Sequence, residues 1–184
     1  NEFKQMLGDE YEILSMKDIG VDIDIEENGT SFEENAVVKA KAVMEVTGEM
    51  VLADDSGFEV DALNGEPGIY SARYLGEDTP YSIKNAEILK RCEGVPDEKR
   101  GARFVCVIAC AYPDGTVDTA KGVIEGRLAH EPAGENGFGY DPIFYLPERG
   151  CTTGELEPEE KNKISHRGLA IAKMVEILKK RGTV

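Results

Sequence analysis

At 184 residues, with 41% apolar and 31% charged side chains, the chain has a globular composition and room for one ordinary domain or two intimately joined lobes. Its formal net charge of −15 argues against nucleic acid or an anionic membrane surface as a partner, because both require a basic face. No apolar run approaches the roughly 20 residues of a membrane-spanning helix, and the first residues lack the apolar core of a secretory signal, so a soluble cytoplasmic protein is expected. Cys92, Cys106, Cys110 and Cys151 fall at no CxxC spacing and only two histidines are present, which points to reduced thiols rather than a zinc site.

In chain order, residues 2–8 read as the tail of an amphipathic helix, and 11–15 alternate like a strand. An acidic loop follows over 21–28. Ser31 stands three residues before Glu34, the spacing of a capping box, and Phe32, Ala36, Ala40 and Val43 recur at helical intervals until Gly48, so 31–47 is predicted helical. Residues 50–53 form a short apolar strand, Asp54-Asp55-Ser56-Gly57 a polar turn, and 58–62 a second, alternating strand. After a Gly/Pro loop at 64–68, Thr79 and Pro80 mark the start of a helix whose apolar face is Ile83, Ala86, Ile88 and Leu89, ending at Gly94. Residues 104–112 are nearly all apolar, as suits a central strand, and Pro113-Asp114-Gly115 turns them into a partner strand at 117–125. A glycine-rich loop covers 131–142, a short strand 143–146 and an irregular polar stretch 150–163, before a last helix over 166–180 with Ile171, Met174, Val175 and Leu178 on one stripe.

Three clusters carry possible chemistry. Asp54 and Asp55 lie where a short apolar strand ends, so the pair is either an Asx-type turn or two carboxylates at the edge of a sheet that call for a cation such as Mg²⁺. Glu26 and Glu27 are placed to bring a further carboxylate. A calcium-loop reading of Asp22-Ile23-Asp24-Ile25-Glu26, closed by Glu33, fails because Glu27 occupies the position of the obligatory glycine. The second cluster is Gly137-Phe138-Gly139-Tyr140-Asp141-Pro142: glycines allow close backbone approach, Phe138 and Tyr140 offer flat faces for a base, and Asp141 offers an acceptor for ring N–H groups. Equally, it is a tight turn with one aromatic in the core. The third is Ser165-His166-Arg167-Gly168 at the start of the last helix, where an anion is favoured, with Lys161 a few residues upstream; ordinary helix entry is the alternative. Walker A and GxSxG motifs are absent.

Ser31-Phe32-Glu33-Glu34-Asn35-Ala36, Ala53 to Gly57, Pro67-Gly68-Ile69-Tyr70-Ser71-Ala72-Arg73-Tyr74, Gly137 to Pro142 and Ser165 to Gly168 occur in this order over most of the chain. Together they resemble the inosine triphosphate pyrophosphatase family, the XTP/dITP diphosphatases. The resemblance implies a Mg²⁺-dependent enzyme that converts ITP, dITP and XTP to the monophosphate and pyrophosphate. It implies an α/β fold with an elongated mixed sheet flanked by helices, two lobes around a central cleft, one catalytic domain over 1–184, and a homodimer. Carried over by position, Asp55 matches the general base and a metal carboxylate, and Glu27 the other metal carboxylate. Ser56, Phe138, Gly139, Tyr140, Asp141, Lys161, His166 and Arg167 fall on substrate-contacting positions. The family's opening strand and phosphate loop have no counterpart before Asn1, where this sequence starts in what reads as the following helix.

On that basis Asp55 is expected to deprotonate a water for attack on the α-phosphorus, and Asp141 with Arg167 or His166 to read the keto face of hypoxanthine or xanthine. The alternatives are a pyrophosphatase for other modified nucleotides and a non-catalytic nucleotide sensor.

Overall fold

A computed structural model describes residues 2–183. It has a mixed α/β architecture: α1 (Glu2–Leu7), α2 (Phe32–Thr47), β1 (Val51–Val60), α3 (Tyr81–Arg91), β2 (Gly101–Ala111), β3 (Val117–Leu128), β4 (Phe144–Leu146), β5 (Cys151–Thr152), α4 (Pro158–Ile164) and α5 (His166–Arg181). The strands form one five-stranded sheet in the order β1-β2-β3-β4-β5. β4 is antiparallel to both neighbours, with Leu128 opposite Phe144 and Leu146 opposite Cys151. Among the described residues no helix is long and apolar enough to cross a membrane.

The chain divides into two compact units. One comprises residues 1–55, 106–122 and 167–184, the other 56–105 and 123–166. The first has a core in which alternate residues of β2, namely Cys106, Ile108 and Cys110, pack with Ala170, Ile171, Met174 and Leu178 of α5. This is the stripe the helical spacing predicts. The second is built on Phe58 and Val60 of β1, Ile88 of α3, and Tyr140, Ile143 and Phe144. Within it Arg100 is only 3% exposed, and its guanidinium donates to four carbonyls: Leu128 at 3.1 Å, Cys92 at 2.8 Å, Ala129 at 2.7 Å and Val95 at 3.5 Å. All four cysteines are free thiols, and burial pushes that of Cys110 up to about 11.

Several local expectations are corrected. Residues 11–15 form no strand, although Tyr11 and Ile13 do pack on the first core. Asp54-Asp55-Ser56-Gly57 is no turn: β1 runs through it, and Gly57 is absent from the positive-φ glycines that a tight turn would require. The side chain of Ser31 caps α2 by accepting from Glu34 N–H at 3.1 Å, and Gly48 ends the helix in the left-handed region at φ 69°. The carboxylate of Glu34, however, reaches back to the N–H and hydroxyl of Thr30, one residue earlier than a capping box prescribes. On α3 the buried face is Lys84, Asn85 and Ile88, whereas Ile83 is 54% exposed. Residues 150–163 hold β5 and α4, the latter opening with Pro158 at its first position and two glutamates behind it.

Candidate active site

An acidic cluster is built from three segments of the first unit. Asp55 of β1 is 9% exposed, because the strand's alternation turns it inward while Ser56 faces solvent. One of its oxygens, Oδ1, accepts from Lys39 Nζ of α2 at 3.3 Å; the other, Oδ2, is buried with no hydrogen-bond partner. The same ammonium lies 3.4 Å from Oε2 of Glu27 in the loop before α2, so one lysine is shared by two carboxylates. Glu26, its neighbour in the chain, is exposed, whereas Glu27 is half-buried against Lys39. Burial raises the Asp55 pKa despite the opposing pull of Lys39; Glu27 raises it further and the Asn35 amide favours the charged form.

Neither Asp54 nor Asp55 makes the local backbone bond of an Asx turn. Asp54 instead accepts from Arg167 Nη2 of α5 at 3.2 Å, and the Arg167 guanidinium also lies 5.7 Å from the ring of Phe3. Arg167 is thus committed to an acid of this unit, a partner its sequence position did not announce. Glu33, the supposed closing residue of a calcium loop, accepts from Thr119 at 3.0 Å.

Asp55 and Glu27, which share the Lys39 ammonium, are the carboxylates of this cluster that could hold a hard cation, and Oδ2 of Asp55 is the oxygen left without a partner. Among the described residues no three His, Cys, Asp or Glu side chains gather to make an all-protein metal cage.

In the second unit the glycine-rich loop is held from inside. Asp141 is 2% exposed, and its Oδ2 accepts from Phe138 N–H at 2.9 Å and from Lys161 Nζ, while Oδ1 accepts from Thr153 Oγ1 at 2.8 Å. Both oxygens accept from the protein, so Asp141 shapes the loop from inside. Lys161, paired with Asp141, lies 4.5 Å from the centroid of Phe138. Phe138, 80% exposed, is the aromatic the loop displays. Tyr140 is corrected: its ring is 4% exposed, stacked 5.2 Å from Phe58 and edge-on to Tyr81, with its hydroxyl donating to Ser71 O at 2.5 Å. Those contacts leave no open ring face for a base. Gly139 takes φ 64°, where a side chain is strained, and its carbonyl accepts from Asn85 Nδ2 at 3.1 Å. His166 stacks on Phe104 with ring centroids 5.1 Å apart.

Lys39, Asn35 and Asn85 are the site residues that sequence reasoning missed. The signal for the first two was present: Asn35 and Lys39 fall at the same 3–4 residue spacing as Phe32, Ala36, Ala40 and Val43, so α2 carries two polar residues inside its apolar stripe. Such residues require partners inside the protein.

The Ham1 family model matches residues 1–177. The chain belongs to the Ham1 family. Among Ham1 relatives, a protein of Desulforamulus reducens named dITP/XTP pyrophosphatase is 52% identical over 168 residues, covering 91% of this chain and 84% of its own. One of the same name from Bacillus subtilis is 46% identical over 178 residues, covering 96% and 90%. The Staphylococcus aureus Ham1 protein structure superposes with a TM-score of 0.92 at 43% identity, over 98% of this chain and 93% of that one. The Ham1 fold accounts for the sheet with its flanking helices and agrees with the resemblance carried by the five motifs.

Proposed function

We propose that this chain is a Mg²⁺-dependent nucleotide pyrophosphatase that hydrolyses non-standard purine nucleoside triphosphates, dITP and XTP among them, to the monophosphate and pyrophosphate. The names of the Ham1 relatives support the reaction class and substrate. The observation that carries the residue assignment is the buried, unpartnered Oδ2 of Asp55 beside an ammonium that Asp55 shares with Glu27.

Asp55 and Glu27 would hold the ion, which when bound supplies charge neutralisation for the triphosphate. Asp55 Oδ2 accepts the proton of the attacking water. The water oxygen bonds to the α-phosphorus, and the bond from that phosphorus to the bridging α–β oxygen breaks to release pyrophosphate. Burial favours this step, since a carboxylate with a raised pKa is a stronger base. Phe138 presents a ring face for purine stacking, while Asp141, Lys161 and Asn85 keep its loop in shape. Ser56, exposed next to Asp55, and His166 complete the substrate contacts of this reading, which takes the protein to act as a homodimer.

Pyrophosphate release measured with ITP, dITP, XTP, GTP and ATP, each with and without Mg²⁺, tests the proposal. Rapid release from the keto purines dITP and XTP, abolished by chelation, is expected. Equal rates for dITP and ATP would refute the substrate assignment, and full activity after chelation would refute the metal.

A further inference from the structure

Asn85 lies on the buried face of α3, 4% exposed, and one end of its amide is used. Its Nδ2 donates to the carbonyl of Gly139 at 3.1 Å, across 54 positions of sequence. Since that partner is an acceptor, the nitrogen of the amide must face the glycine-rich loop and the oxygen must face away from it. Oδ1 is buried without a hydrogen-bond partner. A buried acceptor left unpaired costs at least about as much as one hydrogen bond contributes, so this amide adds little net stability.

The bond it does make reaches the most permissive stretch of the loop. Phe138 stands between two glycines in the left-handed region, Gly137 at φ 74° and Gly139 at φ 64°. Asp141 grips Phe138 locally, accepting from its N–H through Oδ2 and donating from its own N–H to the Phe138 carbonyl at 3.2 Å. Those bonds span three residues, so they fix the shape of the turn, whereas a bond from α3 fixes its place. Lys84, also buried, donates from Nζ to Ala72 O at 2.6 Å, and the Tyr140 hydroxyl donates to Ser71 O. Adjacent residues of one helix thus hold two chain segments that also bond to each other, and every group of this circuit lies in the second unit.

We infer that Asn85 is a positioning residue for nucleotide binding: by holding the Gly139 carbonyl it sets where the exposed ring of Phe138 stands for the purine. It rests on the reading of Phe138 as the stacking face. Stacking on a base remote from the reacting phosphate is the same in bound substrate and transition state, so its loss raises KM and leaves kcat alone. Asn85→Leu keeps the size of the side chain, removes the donor to Gly139 and replaces the unpaired oxygen with an apolar group, two changes that oppose each other in stability. With XTP and saturating Mg²⁺ it is expected to raise KM about fivefold, to hold kcat within about twofold and to leave the urea midpoint near that of the parent.

The same substitution made in Phe138→Ala tells positioning from mere structure. A residue that acts through the ring has nothing to position once the ring is gone, so there Asn85→Leu should change KM less than about 1.5-fold, whereas a structural residue would raise KM by the same factor in both backgrounds. Asn85→Ala, which also lacks the donor, takes its place if Asn85→Leu folds poorly. Parental KM in whichever variant folds, or equal KM factors in the two backgrounds, overturns the inference. Phe138→Ala measured alone separates the two readings: parental KM there removes the stacking face and the inference with it, whereas a raised KM there beside parental KM in Asn85→Leu removes only the role of Asn85.

Discussion

Lys39 Nζ lies 3.3 Å from Oδ1 of Asp55, and the same ammonium is 3.4 Å from Glu27, so the charge of two acids is balanced by the protein itself. An internal cation of this kind competes with any external one. Replacing Lys39 by Met leaves two partly buried carboxylates facing each other. Nucleotide-free Lys39→Met should bind Mn²⁺, used as a probe for Mg²⁺, several-fold more tightly than the parent in a calorimetric titration, and its metal-free form should melt lower. Unchanged affinity would show that the lysine does not compete for the carboxylates.

Asp55→Asn should lower turnover by about 10²–10⁴-fold, the usual contribution of a general base. It should also stabilise the metal-free protein. Because burial raises the folded-state pKa of Asp55 above its unfolded value, the native protein holds that proton more tightly than the unfolded chain. The cost of the buried carboxylate is therefore absent below the unfolded pKa and complete above the folded one. The advantage of Asp55→Asn in urea unfolding should grow as pH rises through the carboxylate range towards neutrality, and a pH-independent difference would contradict the burial argument.

The glycine-rich loop predicts opposite outcomes for its two aromatics. Phe138→Ala removes an 80% exposed ring, so stability should change by less than about 0.5 kcal/mol while KM for XTP rises. Tyr140→Phe should cost about 1 kcal/mol, because the hydroxyl is removed and the Ser71 carbonyl left without its donor. Urea unfolding and steady-state kinetics on the same preparations check both.

Asp141→Ala breaks an ion pair whose acid is almost wholly buried and frees Phe138 N–H and Thr153. A loss of about 3 kcal/mol is expected, with a raised KM for XTP as the loop loosens. A variant as stable as the parent would show that the Lys161–Asp141 pair contributes nothing net.

How legible was this protein? The long periodic elements could be read directly: α2, α5 and the apolar run of β2 obey spacing rules that burial enforces. Short elements with little apolar content could not. α4 rests on Pro158 at its first position and the glutamates of its first turn, and β5 on cross-strand pairing with β4, none of which shows as apolar periodicity. The polar tetrad Asp54-Asp55-Ser56-Gly57 was misread as a turn because its residue types favour turns, yet β1 holds it extended and turns Asp55 inward. The same limit governs the site. Asp55 and Glu27 were found as acids, but the sharing of Lys39 depends on a helix bringing together residues 12 and 16 positions apart in sequence. Tyr140 shows the converse, since a residue type suited to stacking a base is enclosed by the fold.

The four carbonyls gathered by Arg100 come from the segment after α3, the end of β3 and the residue beyond it. Separating any of them from the others means stripping a charged group of its bonds inside the protein, so these pieces must come apart together. Deuterium uptake should therefore be slowest at amides around that guanidinium, including Leu128 N–H, which bonds back to the Arg100 carbonyl at 2.7 Å.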